Sequence, residues 1–330
     1  MHLVSWNLNG IKGAKDALRS YLLERKPDVL CINELKLSRP SLEKVKVDVM
    51  AGEVGEIYDV VWNPCHRGAW HGTAVLAKKE LRMEVLALTL DPKAKRGSTS
   101  PWLDKSSKWH EASTHIREEC SDVDPAEISK AHEREGRLCT VKLHPSKEED
   151  PIILVATYVP NSGVNFRDPL RRLAYRVHHW DADLYATLLE LAATYRGRVI
   201  WAGDLNVIHK PEDVAYFKRR IGCAGATNDE RASFDGFLAS TPFVDAWRHF
   251  HPEEVAYSFY NAKYPRAGAT PDGWRLDYFI VHENLLGQVT GASIDLNDDH
   301  DFAVKVGGCG PKSSMRVSDH LPISLILKDT

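Results

Sequence analysis

Short, nearly continuous apolar runs separated by helical patterns constrain this chain more than any other feature. Leu3-Val4-Ser5-Trp6, Val29-Leu30-Cys31-Ile32, Val199-Ile200-Trp201-Ala202 and Tyr278-Phe279-Ile280-Val281 carry few polar side chains. Strands of this kind need cover on both faces, whereas a strand with one wet face alternates apolar and polar residues. Strands are expected at 2–7, 28–34, 58–63, 73–78, 83–90, 137–144, 152–160, 199–206, 257–260, 276–282, 289–295 and 321–327. Between them, Ala14, Ala17, Leu18, Tyr21 and Leu22 share one helical face that ends at Pro27, and 41–53 predicts a second helix. A long helix is expected from Asp168 as N-cap and Pro169 at N1 to Tyr195, with Leu173, Val177, Trp180, Leu184, Leu188 and Leu191 on its buried face. Thr227 and Glu230 fit a capping box that opens another helix. Strands and helices interleaved in this way predict a single domain over 1–330, with layered sheets covered by helices.

Composition narrows the class without choosing a function. Hydrophobic residues make up 43% and charged residues 27%, which excludes a mostly disordered chain. The longest apolar run, 152–159, is far shorter than the roughly 20 residues a membrane helix needs. Met1-His2-Leu3-Val4 offers no basic region ahead of an apolar one, so no signal peptide is expected. The reading is of an intracellular monomer, in nucleus or cytoplasm and nucleoid, neither secreted nor bound to a membrane. Six scattered cysteines without a Cys-x-x-Cys pair predict reduced thiols. The pairs His66/His71 and His110/His115 lack the cysteines or carboxylates that would complete a zinc site. A net charge of −3 neither suggests nor excludes nucleic acid. Residues 92–134 are polar, with five Lys/Arg against one Asp in 92–110 and three against seven Asp/Glu in 111–134. They predict a surface insertion, either inert or with a basic front half that meets DNA.

The chemistry is suggested by where the apolar runs stop. Asn7 ends the first, Glu34 the second, and Asp204 and Asn206 the run at 199–203; Asp277 opens one strand, and Asp319 with His320 opens another. Singly, each is an ordinary turn former. Jointly, polar groups beside so many buried strands are costly unless hydrogen-bonded or bound to an ion. Carboxylates and amides converging at strand ends would suit a hard cation such as magnesium. With a His and a Tyr they could activate water, stabilise phosphoryl charge and assist a leaving oxygen, the requirements of phosphoryl transfer to water.

These residues sit in motifs. SWNLNGIK (5–12), INELKL (32–37), YVPNSG (158–163), GDLNV (203–207), TNDERASF (227–234), GWRLDYFIV (273–281) and SDHLPI (318–323) follow one another along nearly the whole chain. The chain resembles the exonuclease III type of apurinic/apyrimidinic endonuclease, in the endonuclease/exonuclease/phosphatase superfamily. GDLN and SDH mark the superfamily, while YVPN and WRLDY point to the abasic-site branch. The resemblance implies a four-layer α/β sandwich of two packed mixed β-sheets flanked by helices. It implies cleavage of double-stranded DNA 5′ to an abasic site, with activity on blocked 3′ ends, and a dependence on Mg2+ that Mn2+ could meet. Glu34 would be the principal metal ligand, with Asn7, Asp319, Asp204 and Asn206 beside it. Asp204 would position or deprotonate the attacking water, helped by Asn206. His320, held by Asp277, would bind the scissile phosphate, with a general-base role for His320 as the competing mechanism. Tyr158 would touch the phosphate or assist the leaving oxygen. Asn9, Lys12 and Asn161 would meet DNA, and Phe259, Trp274 and Leu276 match a pocket for a base-free sugar, with core packing as the alternative for Phe259 and Leu276.

Several positions depart from the family pattern. Asn33 stands where Gln usually precedes the metal-binding Glu, and Gly68-Ala69-Trp70-His71-Gly72 lacks the Tyr and Ser of a Gly-Tyr-Ser-Gly segment. Val164 and Ala226 replace an Arg and an aromatic, and the enlarged loop after Phe259 brings Lys263, Tyr264 and Arg266. These changes bear on the grip on DNA rather than on hydrolysis. A less specific magnesium-dependent nuclease or phosphodiesterase is the alternative within the superfamily. A catalytically silent DNA-binding protein is the alternative from another class.

Overall fold

The computed structural model describes residues 1–65, 70–90, 135–146, 149–163, 169–261, 272–295 and 317–328. Its strands in chain order are β1 (His2–Asn7), β2 (Val29–Asn33), β3 (Tyr58–Pro64), β4 (Gly72–Lys78), β5 (Met83–Ala87), β6 (Leu138–Leu143) and β7 (Ile152–Tyr158). They continue with β8 (Val199–Asp204), β9 (Phe243–Asp245), β10 (Phe259–Tyr260), β11 (Gly273–Trp274), β12 (Asp277–His282), β13 (Val289–Ile294) and β14 (Ile323–Leu327). The described residues form two six-stranded mixed sheets, ordered β13-β14-β1-β2-β4-β3 and β5-β6-β7-β8-β12-β9, with β10 and β11 as a separate ribbon.

The apolar runs explain the layering. Successive side chains on a strand point to opposite faces. Leu3, Val29 and Cys31 therefore meet Cys139, Leu154, Ile200 and Phe279 between the sheets. Their neighbours Val4, Leu30 and Ile32 pack against the helices Ile11–Arg25 and Arg39–Met50. On the far side of the second sheet, Val155, Trp201 and Ile280 pack against the helices Ala182–Thr194 and Asn228–Ser240. At roughly 1.5–3 kcal/mol per fully buried large apolar side chain, covering both faces is what makes such runs stable as strands. The result is the expected four-layer α/β sandwich. Among the described residues, no helix is long and apolar enough to cross a membrane.

Pairing then brings the polar strand ends together. β1 and β2 run parallel with Asn7 opposite Asn33, and β7 and β8 run parallel with Tyr158 opposite Asp204. β12 runs antiparallel to β8 and starts with Asp277 opposite Asp204. β14 runs antiparallel to β1, and its start follows Asp319 and His320. Ends of parallel strands and starts of antiparallel ones thus share one edge of the sandwich.

The helix expected through Tyr195 is interrupted. An α-helix at Pro169–Ala174 widens into a π-helical stretch at Tyr175–Asp181 before α-geometry resumes at Ala182–Thr194. Residues five apart lie on different faces of an α-helix but align across a π turn. Here the wide turn sets Arg176 Nε 2.7 Å from Asp181 Oδ1, with both side chains buried. The expected helix at 41–53 is divided into Arg39–Met50 and Glu53–Ile57 at Gly52, whose φ is +63°. The expected strand at 257–260 shrinks to β10, which pairs with β11. The capping box forms: Glu230 N donates to Thr227 Oγ1 at 3.2 Å, while Glu230 Oε2 accepts from Thr227 N at 3.3 Å. Cys31, Cys139 and Cys223 are free thiols. The 92–134 insertion, His66, Cys120, Val164, Asp168, Lys263, Tyr264, Arg266 and Cys309 lie outside the described residues.

Gly203, inside the GDLNV motif, sits at φ +140°, and a Cβ there would fall 1.9 Å from the Thr157 carbonyl oxygen. Gly203→Ala should therefore lower stability by about 3 kcal/mol or more through steric overlap and backbone strain. Urea denaturation checks this, and an unchanged midpoint would contradict it.

Candidate active site

At the edge where the strand ends meet lies a cavity of about 320 Å³. Its polar lining is Asn7, Glu34, Tyr158, Asp204, Asn206, Asp319 and His320, joined by Asn9, Lys36, Asn161 and Asn261. Its apolar lining is Phe259, Trp274 and Leu276. Trp274 and Leu276 cluster with buried Ile208, Val214 and Ala226, and Phe259 packs against that cluster. Packing and lining are therefore the same fact for these three side chains rather than alternatives. Lys12 is exposed on the first turn of its helix and does not line the cavity.

Hydrogen bonds stitch the two sheets together across the cavity. Asn7 Nδ2 donates to Asp204 Oδ2 at 2.9 Å, and Asn7 Oδ1 accepts from Asn9 N at 2.9 Å. Asn9 Nδ2 donates to Asp319 Oδ1 at 2.7 Å. His320 Nδ1 lies 2.8 Å from Asp277 Oδ2, and its Nε2 lies 3.8 Å from Asp204 Oδ2. The Tyr158 hydroxyl donates to Glu34 Oε1. Asn206 is committed at both ends of its amide: Nδ2 donates to Val159 O and Oδ1 accepts from Asn161 Nδ2, each at 2.9 Å. Behind the site, buried Arg275 bonds both carboxylate oxygens of Asp213 at 2.9 Å and Asp245 at 2.7 Å. Arg176 NH1 donates to Pro160 O at 3.1 Å and Leu205 O at 3.0 Å, tying the loops that follow β7 and β8.

Backbone strain gathers here as well. Asn9, Glu34, Lys36 and Asn206 all have positive φ, between 48° and 53°. Non-glycine residues in this region cost of order 1–3 kcal/mol each and persist where their surroundings hold them. The left-handed turn at Glu34 lets the carboxylate leave the line of β2 and enter the cavity.

The buried charges perturb one another. Burial alone would lower the pKa of His320, but Asp277 and then Asp204 override it and hold the value up at about 10. Burial pushes the Asp204 carboxyl above the usual carboxylate range; His320 pulls it down, and Asp277 and Glu34 push it up again. For Tyr158, burial first and Glu34 second raise the phenol well above its ordinary value.

Asp204, Asp277 and His320 offer ligand atoms within 4.8 Å of one another, a possible acidic metal site. A cationic His320 competes with a metal ion at that triad, because its ring already serves both carboxylates. Glu34, Asp319 and Asn7 supply oxygen atoms on the same cavity without that conflict. The set fits a hard divalent cation: its donors are oxygens, and Glu34 and Asp277 both push up the Asp204 carboxyl, a sign of negative charge gathered at this edge.

Residues 4–320 match the profile of the Endonuclease/Exonuclease/phosphatase family. The chain belongs to that family. Among relatives in sequence, a DNA-(apurinic or apyrimidinic site) endonuclease of Dictyostelium discoideum is 30% identical over 330 residues, 99% of this chain and 70% of that protein. An exodeoxyribonuclease of Bacillus subtilis is 30% identical over 332 residues, covering 99% of each. An AP endonuclease from Leishmania major has a similar fold, with a TM-score of 0.70 at 28% identity, covering 100% of this chain and 88% of that one. The two six-stranded sheets of this member of the endonuclease/exonuclease/phosphatase family match that fold.

Sequence reasoning passed over Lys36, whose ammonium bonds Asn9 Oδ1 and lies 3.4 Å from Glu34 Oε2. It also passed over Arg137 and His71, which stand against Tyr158. Lys36 lies within the INELKL motif and could have been found there. Arg137 and His71 precede strands in different sheets, and no spacing links them.

Proposed function

We propose that this protein is a DNA-repair endonuclease that hydrolyses the phosphodiester 5′ to an abasic site, leaving a 3′-hydroxyl and a 5′-deoxyribose phosphate. Activity at 3′ ends, as exonuclease or phosphodiesterase, belongs to the same reading, because one similar protein is named an exodeoxyribonuclease. The observation that carries the proposal is the single cavity in which the Asp204–His320 constellation and Glu34 face the apolar Phe259–Trp274–Leu276 wall. That wall suits a sugar without a base, and flipping such a residue costs less because no base leaves the stack.

Glu34 and Asp319, with Asn7 close by, would hold Mg2+, and Mn2+ would serve the same oxygen ligands. The ion, when bound, supplies Lewis-acid stabilisation of phosphoryl charge. Asp204 takes the proton of the attacking water; its raised pKa makes it a better base than an ordinary carboxylate. Asn206 bonds Asp204 Oδ1 through its backbone N–H and Asn7 Nδ2 bonds Oδ2, each at 2.9 Å, which leaves the second lone pair of Oδ2 for the water. His320, kept protonated by Asp277 and Asp204, binds the phosphate as a cation and is a poor base at neutral pH. Tyr158 stays protonated, and its one hydroxyl proton, which Glu34 Oε1 accepts here, would turn to the departing 3′ oxygen once substrate is bound. Asn161 holds the amide of Asn206, and Asn9 and Lys12 would meet the DNA backbone. The substrate is double-stranded DNA acted on by a monomer inside the cell, in nucleus or cytoplasm.

A pH profile follows. kcat/KM should fall on the acid side at a pH above the usual carboxylate range, as Asp204 takes up a proton. With the Asp204 carboxyl pushed up to about 7, it should still be rising through neutrality and should fall on the alkaline side as His320 loses its proton near pH 10. The folded pKa of His320 exceeds the ordinary 6.5 of a free histidine, so its stabilising contribution is present below 6.5 and lost as pH rises through about 10. A profile with an alkaline limb near pH 7 would contradict this.

The proposal is tested by incubating end-labelled DNA with the protein in magnesium and in EDTA. Cleavage in magnesium alone supports a hydrolase; binding without cleavage in either would leave only a DNA-binding protein.

A further inference from the structure

We propose that Arg137 and His71 form a positioning bracket that sets the Tyr158 hydroxyl over Glu34. The inference rests on the reading of Tyr158 as a group that acts on the leaving oxygen, and it adds two residues that reading does not use.

Arg137 is 3% exposed and grips Tyr158 in three ways. Its NH1 donates to Tyr158 O at 3.1 Å, and its own carbonyl accepts from Tyr158 N at 2.9 Å. Its guanidinium carbon lies 4.8 Å from the centre of the Tyr158 ring, a cation–π distance. The remaining guanidinium nitrogens are satisfied elsewhere, Nε by Glu135 and NH2 by His71 Nδ1 at 3.0 Å. The cation is thus held at three nitrogens over the ring.

His71 completes the arrangement from the other sheet. Its ring centre lies 6.1 Å from that of Tyr158, and its carbonyl accepts from Lys36 N at 3.0 Å. One residue therefore fixes the arginine behind Tyr158 and the left-handed turn that carries Glu34. Donor and acceptor of the Tyr158–Glu34 bond are held by the same bracket. Gly136 anchors it: φ is +62°, a Cβ would fall 2.5 Å from Asn63 O, and Thr73 Oγ1 donates to its carbonyl at 3.0 Å.

A buried apolar side chain would fill the same space without orienting anything. A stacked guanidinium bonded to the main chain instead limits the swing of the phenol about its Cα–Cβ bond. Catalytic groups must be held within about 0.5 Å of the productive geometry, and supporting residues supply that precision.

The test is a double-variant cycle read in kcat and KM on abasic duplex DNA. Arg137→Met should lower kcat about 10- to 100-fold with KM changed less than about threefold, the signature of a misplaced catalytic group. In a Tyr158→Phe background, Arg137→Met should cause no further loss, because nothing remains to position. Arg137→Lys, which keeps a cation near the ring, should recover part of the activity. If Arg137→Met does not fold, His71→Phe replaces it in the same cycle, with the same non-additivity expected. Losses that multiply in the double variant would overturn the bracket while leaving Tyr158 its role. Undiminished turnover of Tyr158→Phe alone would remove the reading of Tyr158, and the bracket with it.

Discussion

Asp204→Asn should reduce kcat by about 10⁴-fold, the upper range for loss of a positioned general base. The substitution is nearly isosteric, so the backbone bond from Asn206 N to Oδ1, 2.9 Å long, survives. What is lost is the capacity to take a proton, and an amide nitrogen placed at Oδ2 would face the donor Asn7 Nδ2. Stability should fall far less than activity: removing a charge that burial disfavours offsets part of the cost of that donor–donor contact. Single-turnover cleavage and thermal unfolding, measured side by side, check both halves. A residual rate within tenfold of the parent would remove Asp204 from the proton-transfer role.

His320→Gln should cost about 10²- to 10³-fold in kcat, the usual loss on removing one charge-stabilising donor. The glutamine amide can donate to phosphate but carries no charge, and it leaves Asp277, whose Oδ2 faces His320 at 2.8 Å, unneutralised. Asp277→Asn should cost less, because the imidazole remains but is no longer held protonated by that neighbour, and its alkaline limb should move to lower pH. The competing assignment of His320 as general base makes a different prediction. Added imidazole or raised pH would then restore the glutamine variant, whereas a missing phosphate-binding cation is restored by neither.

Much of this site was legible in the sequence because topology and position along a strand are linked. Asn7, Glu34 and Asp204 close apolar runs, while Asp277 and His320 precede them. Side chains at the ends of parallel strands and at the starts of antiparallel ones fall at one edge of a sandwich. The pairing of β1 with β2, β7 with β8, and β12 with β8 turns that pattern into proximity. Trp274 and Leu276 were suggested through the family resemblance of WRLDY; both line the cavity, while Arg275 between them bonds Asp213 and Asp245.

The remainder depends on contacts that no spacing encodes. The π-helical stretch arises from tertiary demands on Arg176, which reaches two loop carbonyls far away in sequence. The hydrophobic period on either side still suggests one helix. β9 is three residues long, too short for any period to emerge. Positive φ at Glu34 and Asn206 is invisible in composition, since neither is glycine and each is held by its neighbours. Arg137 and His71 belong to segments that meet only when the two sheets pack.

The central claim is that this constellation hydrolyses DNA beside a missing base. Incision of a labelled duplex carrying one abasic analogue, beside an undamaged duplex of the same sequence, tests it most directly in magnesium and in EDTA. A magnesium-dependent cut just 5′ of the analogue is expected, with a 3′-hydroxyl product and an intact undamaged duplex. Equal cutting of both duplexes, or trimming confined to 3′ ends, would contradict the role given to the Phe259–Trp274–Leu276 wall.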